Sequence, residues 1–322
     1  MHIQQLKIHR CSNVSEGATP LPTPMQLDFL WLELTRKCNL RCAHCYADSE
    51  PSLDLRGPMT IERWKALMAE ARELGCERVQ FIGGEVLLVP YLEELIREAR
   101  TIGFAFIEVF TNATAVTTST IEYFKKYSVS VASSFYSCNA AVHDQITQRP
   151  GSWQKTVAAL ARLKSADLSI RIGVIALPSN ELDVDAAVSF VRDLGISDVG
   201  IDHVRSVGRA KELRPAVGYL EELCGQCGRN RLCITAEGEI MPCIMARSTS
   251  LGNYISAGSL ESATSWRDLA VFRSALLNAK GASSSDGELP EACMPQCWPN
   301  GGCPPHDMCK PHKIEQSYQY AT

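Results

Sequence analysis

The 322-residue chain has no apolar run near the ~20 residues that a bilayer-spanning helix needs. Its opening, MHIQQLKIHR, lacks the apolar core of a secretory signal. Neither a membrane anchor nor export is expected, and the chain reads as cytoplasmic. Excess charge is missing too. Lys and Arg number 32 against 36 Asp and Glu, a net charge of −4. Without a basic face, nucleic acid is not an expected partner. No segment repeats at a solenoid period. In a reducing compartment disulfides are scarce, so the 14 cysteines are read as metal ligands or catalytic groups. The remaining composition, 45% hydrophobic, is that of a globular chain with length for about two domains.

The cysteines are unevenly spread. Cys38, Cys42 and Cys45 sit together in CNLRCAHCY. Cys224, Cys227, Cys233, Cys243, Cys293, Cys297, Cys303 and Cys309 crowd the last hundred residues. Cys11, Cys76 and Cys138 are isolated, and Cys76, at a helix end, reads as a core thiol.

Residues 1–28, polar and with three prolines up to PLPTPMQL, read as an extended arm. Strand-like stretches then alternate with helix-period stretches. FLWLEL, RVQFI, FAFIEVF, VSVAS, LSIRIGVIAL and DVGIDHV are the strands. TIERWKALMAEARELG, YLEELIREARTIG, TSTIEYFKKY, SWQKTVAALARLKSA and DVDAAVSFVRDLG are the helices, with Ser152 as a candidate N-cap. This alternation predicts an α/β fold with a parallel sheet, a partial (β/α)6 barrel over residues 29–208. In such folds chemistry sits at the C-terminal ends of the strands. The cysteine trio follows strand one, FIGGE closes strand two, TNA follows strand three and SSFYS follows strand four, all on that rim. Residues 209–322 lose the alternation. They are rich in Cys, Gly, Pro and Ser, with one helix near SWRDLAVFRSALLNA and a connector GASSSDGELP, and are expected to fold around metal.

A structural zinc takes four protein ligands, and an iron–sulfur cubane usually takes four thiolates. Three thiols at spacings of four and three residues leave one iron of a cubane open to a small molecule. A zinc knuckle completed by His44 or a distant cysteine is the alternative. The eight later cysteines are two times four, the number for two fully ligated [4Fe-4S] clusters, and two zinc sites are the alternative there.

CNLRCAHCY resembles the CxxxCxxC-aromatic signature of radical S-adenosylmethionine (radical SAM) enzymes. The resemblance implies that Cys38, Cys42 and Cys45 hold a [4Fe-4S] cluster whose free iron binds SAM, and that Tyr46 flanks the adenine. Gly83-Gly84-Glu85 is similar to the family's GGE motif, which implies contact with the SAM amino group through close backbone and a carboxylate. Val86 stands where the family usually has Pro. Asn112, and Ser133 or Ser134, match where the family binds ribose and the methionine carboxylate. GVIALPSN departs from the family's fifth-strand GxIxGxxE pattern, with Leu177 and Asn180 in place of Gly and Glu. Arg149 and Arg209 are candidates for contact with SAM or substrate, or for ordinary salt bridges.

The segments CGQCGRNRLCITAEGEIMPC and CMPQCWPNGGCPPHDMC together resemble the SPASM extension of that family, which carries two auxiliary [4Fe-4S] clusters. The late run departs from the usual spacing, and no cysteine follows Cys309. The expected division is Cys227, Cys233, Cys243 and Cys309 on one cluster, and Cys293, Cys297, Cys303 and Cys224 on the other.

The resemblance implies oxidative modification or cross-linking of a ribosomally made peptide, with electrons from a flavodoxin or ferredoxin. The residues before the barrel are too few for a leader-gripping winged helix, so a separate leader-recognition protein, or direct binding, is expected. Sulfatase maturation is a further form of the peptide reading. A dehydrogenase or coupling enzyme on a sugar, nucleoside or amino-alcohol is the runner-up. An iron–sulfur electron carrier or zinc-binding scaffold is the non-enzyme alternative. Asp202 is the expected general base, with His203, Tyr136 and His143 as other candidates.

Overall fold

The computed structural model describes residues 27–216 and 218–281. The expected arm up to residue 26, the connector beyond Gly281, and Cys11, Cys293, Cys297, Cys303 and Cys309 lie outside the described residues. Among the described residues no helix is long and apolar enough to cross a membrane.

The alternation read from sequence is present in order. It comprises β1 (Phe29–Glu33), α1 (Ile61–Glu73), β2 (Arg78–Ile82), α2 (Leu92–Thr101), β3 (Phe106–Phe110), α3 (Thr118–Lys126), β4 (Ser130–Phe135), α4 (Ala140–Thr147), α5 (Ser152–Ser165), β5 (Ile170–Ala176), α6 (Val184–Asp193) and β6 (Asp198–His203). Strands β1 to β6 are parallel, each hydrogen-bonded to its sequence neighbour. That sequential, all-parallel order is the partial barrel the sequence predicts.

Period two sorts the strand side chains between two environments. Val79, Phe81, Ile107, Val109, Val131, Ile172 and Val174 belong to the buried core. Trp64, Leu67, Leu95 and Ile96, on the inward stripes of α1 and α2, belong to the same core. The intervening residues Gln80, Ile82, Phe110, Ser134, Arg171, Gly173 and Asp202 line a cavity inside the barrel.

Two features differ from the sequence reading. Helix α4, which no periodicity announced, starts at Asn139, whose side chain accepts from Ala141 N at 2.9 Å. It has only 8 residues, too short for a 3.6-residue stripe to show. Its Asp144 then organises the start of α5. The carboxylate accepts from Gly151 N, Trp153 N and the Ser152 hydroxyl. Gly151, not Ser152, is the N-cap residue, and Ser152 spends its hydroxyl on Asp144 and Thr147.

The expected boundary at residue 208 also falls inside continuous structure. Strand β7 (Arg231–Ile234) lies parallel to β1, from Phe29↔Arg231 to Leu32↔Ile234. Strands β8 (Glu239–Met241) and β9 (Gly252–Asn253) follow antiparallel, giving the sheet order β6-β5-β4-β3-β2-β1-β7-β8-β9. These strands have 4, 3 and 2 residues, below the length at which alternation is legible. Helices α7 (Tyr254–Ala257), α8 (Leu260–Ala263) and α9 (Trp266–Ala279) complete the described chain. The last is the helix expected from SWRDLAVFRSALLNA.

Candidate active site

A cavity of about 180 Å³ opens at the C-terminal ends of the barrel strands. Cys38, Cys42 and Cys45 all line it, as do Tyr46, Gly83, Gly84, Asn112, Ser134, Tyr136 and Asp202. Residues up to 164 positions apart in sequence thus meet on one rim, because they lie at the ends of different parallel strands.

The cysteine loop between β1 and α1 is held from several sides. Cys38 N donates to Glu50 O at 3.2 Å, and Arg41 N and Ala43 N donate to Thr147 O and Ile146 O at the end of α4. Arg209 donates from Nε to Cys42 O at 2.9 Å, from Nη2 to Ser49 O at 2.8 Å, and from its backbone to Cys45 O at 3.1 Å. Arg209 does not line the cavity, and it positions the loop that carries the thiols. Gly208 makes this possible: a Cβ there would stand 2.3 Å from Cys45 O.

The Gly83-Gly84-Glu85 turn packs on the same loop. Gly84 N donates to Thr35 O at 2.7 Å and Glu85 N to Lys37 O at 2.9 Å. A Cβ on Gly84 would meet Lys37 O at 2.2 Å, so only glycine allows this approach. Glu85 departs from the sequence expectation. Its side chain is fully buried and does not line the cavity. The carboxylate accepts from Thr111 Oγ1 at 2.6 Å, Asn112 N at 2.8 Å and Leu87 N at 3.0 Å. Burial pushes its pKa up against those three donors. Glu85 ties the end of β2 to the end of β3, and it is the Gly83-Gly84 backbone that faces the cavity.

Asn112 is fixed by Asn39 Oδ1 at 2.8 Å and lies 3.7 Å from Cys38 Sγ. Of the two serines on β4, Ser134 lines the cavity. Ser133 pairs with Ile172 on the opposite face of the sheet and is fully buried there. Arg149 is exposed beyond α4 and away from the cavity. Cys138 does not line the cavity either, and Cys76 is a buried core thiol, as expected.

Asp202 is gripped by Arg205, whose two terminal nitrogens each lie 2.9 Å from a different carboxylate oxygen. Arg171 and Gln80 also face the cavity, and both are bonded to the buried carboxylate of Glu108. This lumen row of Gln80, Glu108 and Arg171 was missed from sequence. A charged residue inside each of two strand-like runs was the available signal.

The donor set fits an iron–sulfur centre. Three thiols share one wall, and Ser49 Oγ and His44 Nδ1 are buried there without a hydrogen-bond partner among the described residues. Burial, together with the like charges of its sister cysteines, pushes the Cys42 thiol up. Burial alone is the main cause for Cys38, pushed up to about 12. Bound iron supplies the positive charge that turns such thiols into thiolates. His44, lowered to about 4 by burial and by Arg209, is a neutral imidazole. Among the described residues, no three His, Cys, Asp or Glu side chains form a group that would hold one metal ion.

A second, smaller hollow adjoins the first and shares Arg205, Ile244 and Met245 with it. Cys224, Cys227 and Cys243 line it, with the Cys227 and Cys243 sulfurs 2.6 Å apart. The Cys227 thiol donates to Cys224, and with Arg205 and Arg231 nearby this pulls the Cys224 pKa down. From α9, Arg273 donates to Gly225 O and Cys227 O and braces this loop. The hollow groups these thiols otherwise than the expected division of ligands did. Cys224 stands with Cys227 and Cys243, while Cys233, fully buried on β7, lies outside the hollow near Glu33 and Arg247.

Residues 32–191, from the end of β1 through most of α6, match the family model of the Radical SAM superfamily. The chain belongs to that superfamily, and membership implies a [4Fe-4S] cluster and S-adenosylmethionine as cofactors. Over 271 residues it is 27% identical to the antilisterial bacteriocin subtilosin biosynthesis protein AlbA of Bacillus subtilis, covering 74% of this chain and 59% of that protein. Over 181 residues it is 28% identical to the AdoMet-dependent heme synthase of Methanosarcina barkeri, covering 56% of this chain and 51% of that protein. The chain thus spans somewhat over half the length of these relatives. Its fold is similar to that of Streptococcus suis SuiB bound to the precursor peptide SuiA, with a TM-score of 0.57 at 14% identity over 77% of this chain and 65% of that one.

Proposed function

We propose that the chain is a radical SAM enzyme that oxidatively modifies or cross-links a ribosomally made peptide. The observation that carries it is the cavity wall, where three thiols from one braced loop and the Gly83-Gly84 backbone packed beside that loop line one cavity at the mouth of a parallel barrel. When bound, a cluster and SAM would supply radical chemistry, the removal of a hydrogen atom from the substrate, with one electron from a flavodoxin or ferredoxin. In this reading Cys38, Cys42 and Cys45 hold the cluster and leave one iron for SAM. Gly83 and Gly84 bring their backbone close to the SAM amino group. Asn112 and Ser134 supply polar contacts, and Tyr46 flanks the adenine. Arg209 keeps the loop closed. Cys224, Cys227 and Cys243 hold an auxiliary centre in the adjoining hollow, completed from cysteines outside the described residues.

The peptide assignment is supported by the similarity to AlbA, a bacteriocin biosynthesis protein. The similarity to a heme synthase favours a second reading, a small-molecule substrate.

The chain, reconstituted without oxygen, is expected to bind about twelve irons, at four per cubane, and to form 5'-deoxyadenosine from SAM and dithionite. The Cys38/Cys42/Cys45→Ala variant is expected to keep about eight irons and form none. Zinc in place of iron, or 5'-deoxyadenosine from the variant, removes the reading. Precursor peptides and porphyrin-type substrates, assayed side by side for mass change, separate the two substrate classes.

Asp202 is proposed as the base, oriented by Arg205. Asp202→Asn is expected to lower product formation by about 100-fold or more while 5'-deoxyadenosine continues to form. Product at the wild-type rate takes Asp202 out of the mechanism.

A further inference from the structure

Arg209 grips the far end of the cysteine loop, at Cys42 O and Cys45 O. The near end, at Cys38, is held by a different device. Asn39 Nδ2 donates to Thr114 Oγ1 at 2.8 Å, the Thr114 hydroxyl donates to Asn112 Oδ1 at 2.6 Å, and Asn112 Nδ2 donates to Asn39 Oδ1 at 2.8 Å. The three side chains close a ring in which each donates to the next. Thr114 N also donates to Asn112 Oδ1, at 2.9 Å, so that atom is the amide oxygen and the ring runs in one direction only. Asn112 is a fixed post for it. Its N donates to the buried Glu85 carboxylate at 2.8 Å, and its carbonyl accepts from Thr156 Oγ1 on α5 at 3.1 Å. Ala113, between Asn112 and Thr114, has φ +62° and is 1% exposed. That conformation is unfavourable for a residue with a Cβ, and it persists only where the surroundings impose it. Here it accompanies the return of Thr114 onto the Asn112 amide. Cys38 Sγ lies beside the ring, 3.7 Å from Asn112 Nδ2 and 3.9 Å from Asn39 Oδ1.

We infer that Asn39 and Thr114 are positioning residues for the first thiol, and that their ring with Asn112 ties the Cys38 side chain to the end of β3 in the metal-free chain. The use of that thiol as a ligand rests on the function proposed above, and the tether does not. Neither Asn39 nor Thr114 lines the cavity; both act through Asn112 and Cys38, which do. The ring and Arg209 hold opposite ends of the loop, so opening the ring frees Cys38 and leaves Cys42 and Cys45 in place.

The test is site-resolved alkylation of the full-length, metal-free, reduced chain. Trypsin cuts after Lys37 and Arg41, so Cys38 is read on one peptide and Cys42 with Cys45 on the next. Thr114→Val and Asn39→Ala are each expected to raise the alkylation rate of Cys38 about fivefold, the equivalent of one hydrogen bond of ordinary net strength. Cys42 and Cys45 are expected to keep the wild-type rate. Thr114→Ser retains the hydroxyl and is expected to match the wild type. The Asn39→Ala/Thr114→Val double variant is expected to be no faster than either single one, because one ring opens only once. An unchanged Cys38, a rise at all three thiols together, or effects that multiply in the double variant overturns the inference. A further measurement needs no variant. In the asparagine-labelled wild-type chain, the side-chain amide protons of Asn39 and Asn112 are expected to exchange with solvent more slowly than those of exposed Asn278. Equal exchange overturns the ring. All of these are read without iron, so a chain found to hold no cluster removes the use proposed for Cys38 and leaves the tether standing.

Discussion

Gly208→Ala is expected to cost the chain the cluster proposed for Cys38, Cys42 and Cys45. Gly208 has φ +59° and presses against the cysteine loop, where an added Cβ would stand 2.3 Å from Cys45 O and 2.6 Å from Tyr46 O. Neither neighbour is the free end of a side chain, so the backbone must move. The left-handed conformation costs alanine about 1–2 kcal/mol, and the larger effect is displacement of the loop that Arg209 holds by three hydrogen bonds. Iron is expected to fall by about four per chain, with 5'-deoxyadenosine at background. Gly258→Ala is the control. Gly258 also has positive φ, +77°, but an added Cβ meets nothing within 4 Å. That variant is expected to lose about 1 kcal/mol of stability and keep its iron. Equal iron in both variants would show that the close approach at Gly208 does not govern loading.

Arg247→Met is expected to be the most destabilising change away from the cysteines. Glu33 at the end of β1 is 3% exposed, and its carboxylate lies 2.7 Å from Arg247, which also sits 5.2 Å from the centre of the Tyr46 ring. Burial raises the Glu33 pKa and Arg247 only partly offsets it. Removing the guanidinium leaves an uncompensated buried charge, a loss of about 3–5 kcal/mol at neutral pH. The pH dependence follows from the direction of the shift. A carboxyl whose folded pKa is raised is held as the acid more tightly by the folded state. The stability it contributes is therefore present below the unfolded value of 4.5 and lost as pH rises through the folded pKa. The deficit of the variant should thus shrink steadily from about pH 8 to about pH 5 in urea unfolding. Glu33→Gln added to Arg247→Met should restore most of the loss. A deficit that does not change with pH, and that Glu33→Gln does not relieve, would place the effect in packing instead.

The barrel was legible because its six strands carry their information locally. RVQFI and LSIRIGVIAL announce themselves as strands by composition, and α1 and α2 show a clear apolar stripe. The cysteine trio was legible because its members lie within eight residues. What sequence could not give were roles decided by long-range geometry. Glu85 looks like a ligand for an ammonium until its carboxylate is found occupied by Thr111, Asn112 and Leu87. Ser133 and Ser134 are adjacent in sequence, and only the pleat decides which one meets the cavity. Arg209, more than 160 residues from the loop it braces, has no local signature at all. The grouping of Cys224 with Cys227 and Cys243, and not Cys233, likewise depends on where β7 is anchored.

That anchoring bears on modularity. Strand β1 is bonded on one side to β2 and on the other to β7, and FLWLE is buried along its whole length. The loop bearing the first three thiols leaves from the end of β1. The second thiol group flanks β7, from Cys227 before it to Cys243 after it. Both groups are therefore fixed to one pair of adjacent strands, and no hinge separates them. A gene split at residue 208 would yield a first half with a sticky, apolar edge and a second half whose first strand has no template. The two thiol groups are a single heritable unit: insertions can lengthen the loops around them, but shuffling cannot trade one without the other.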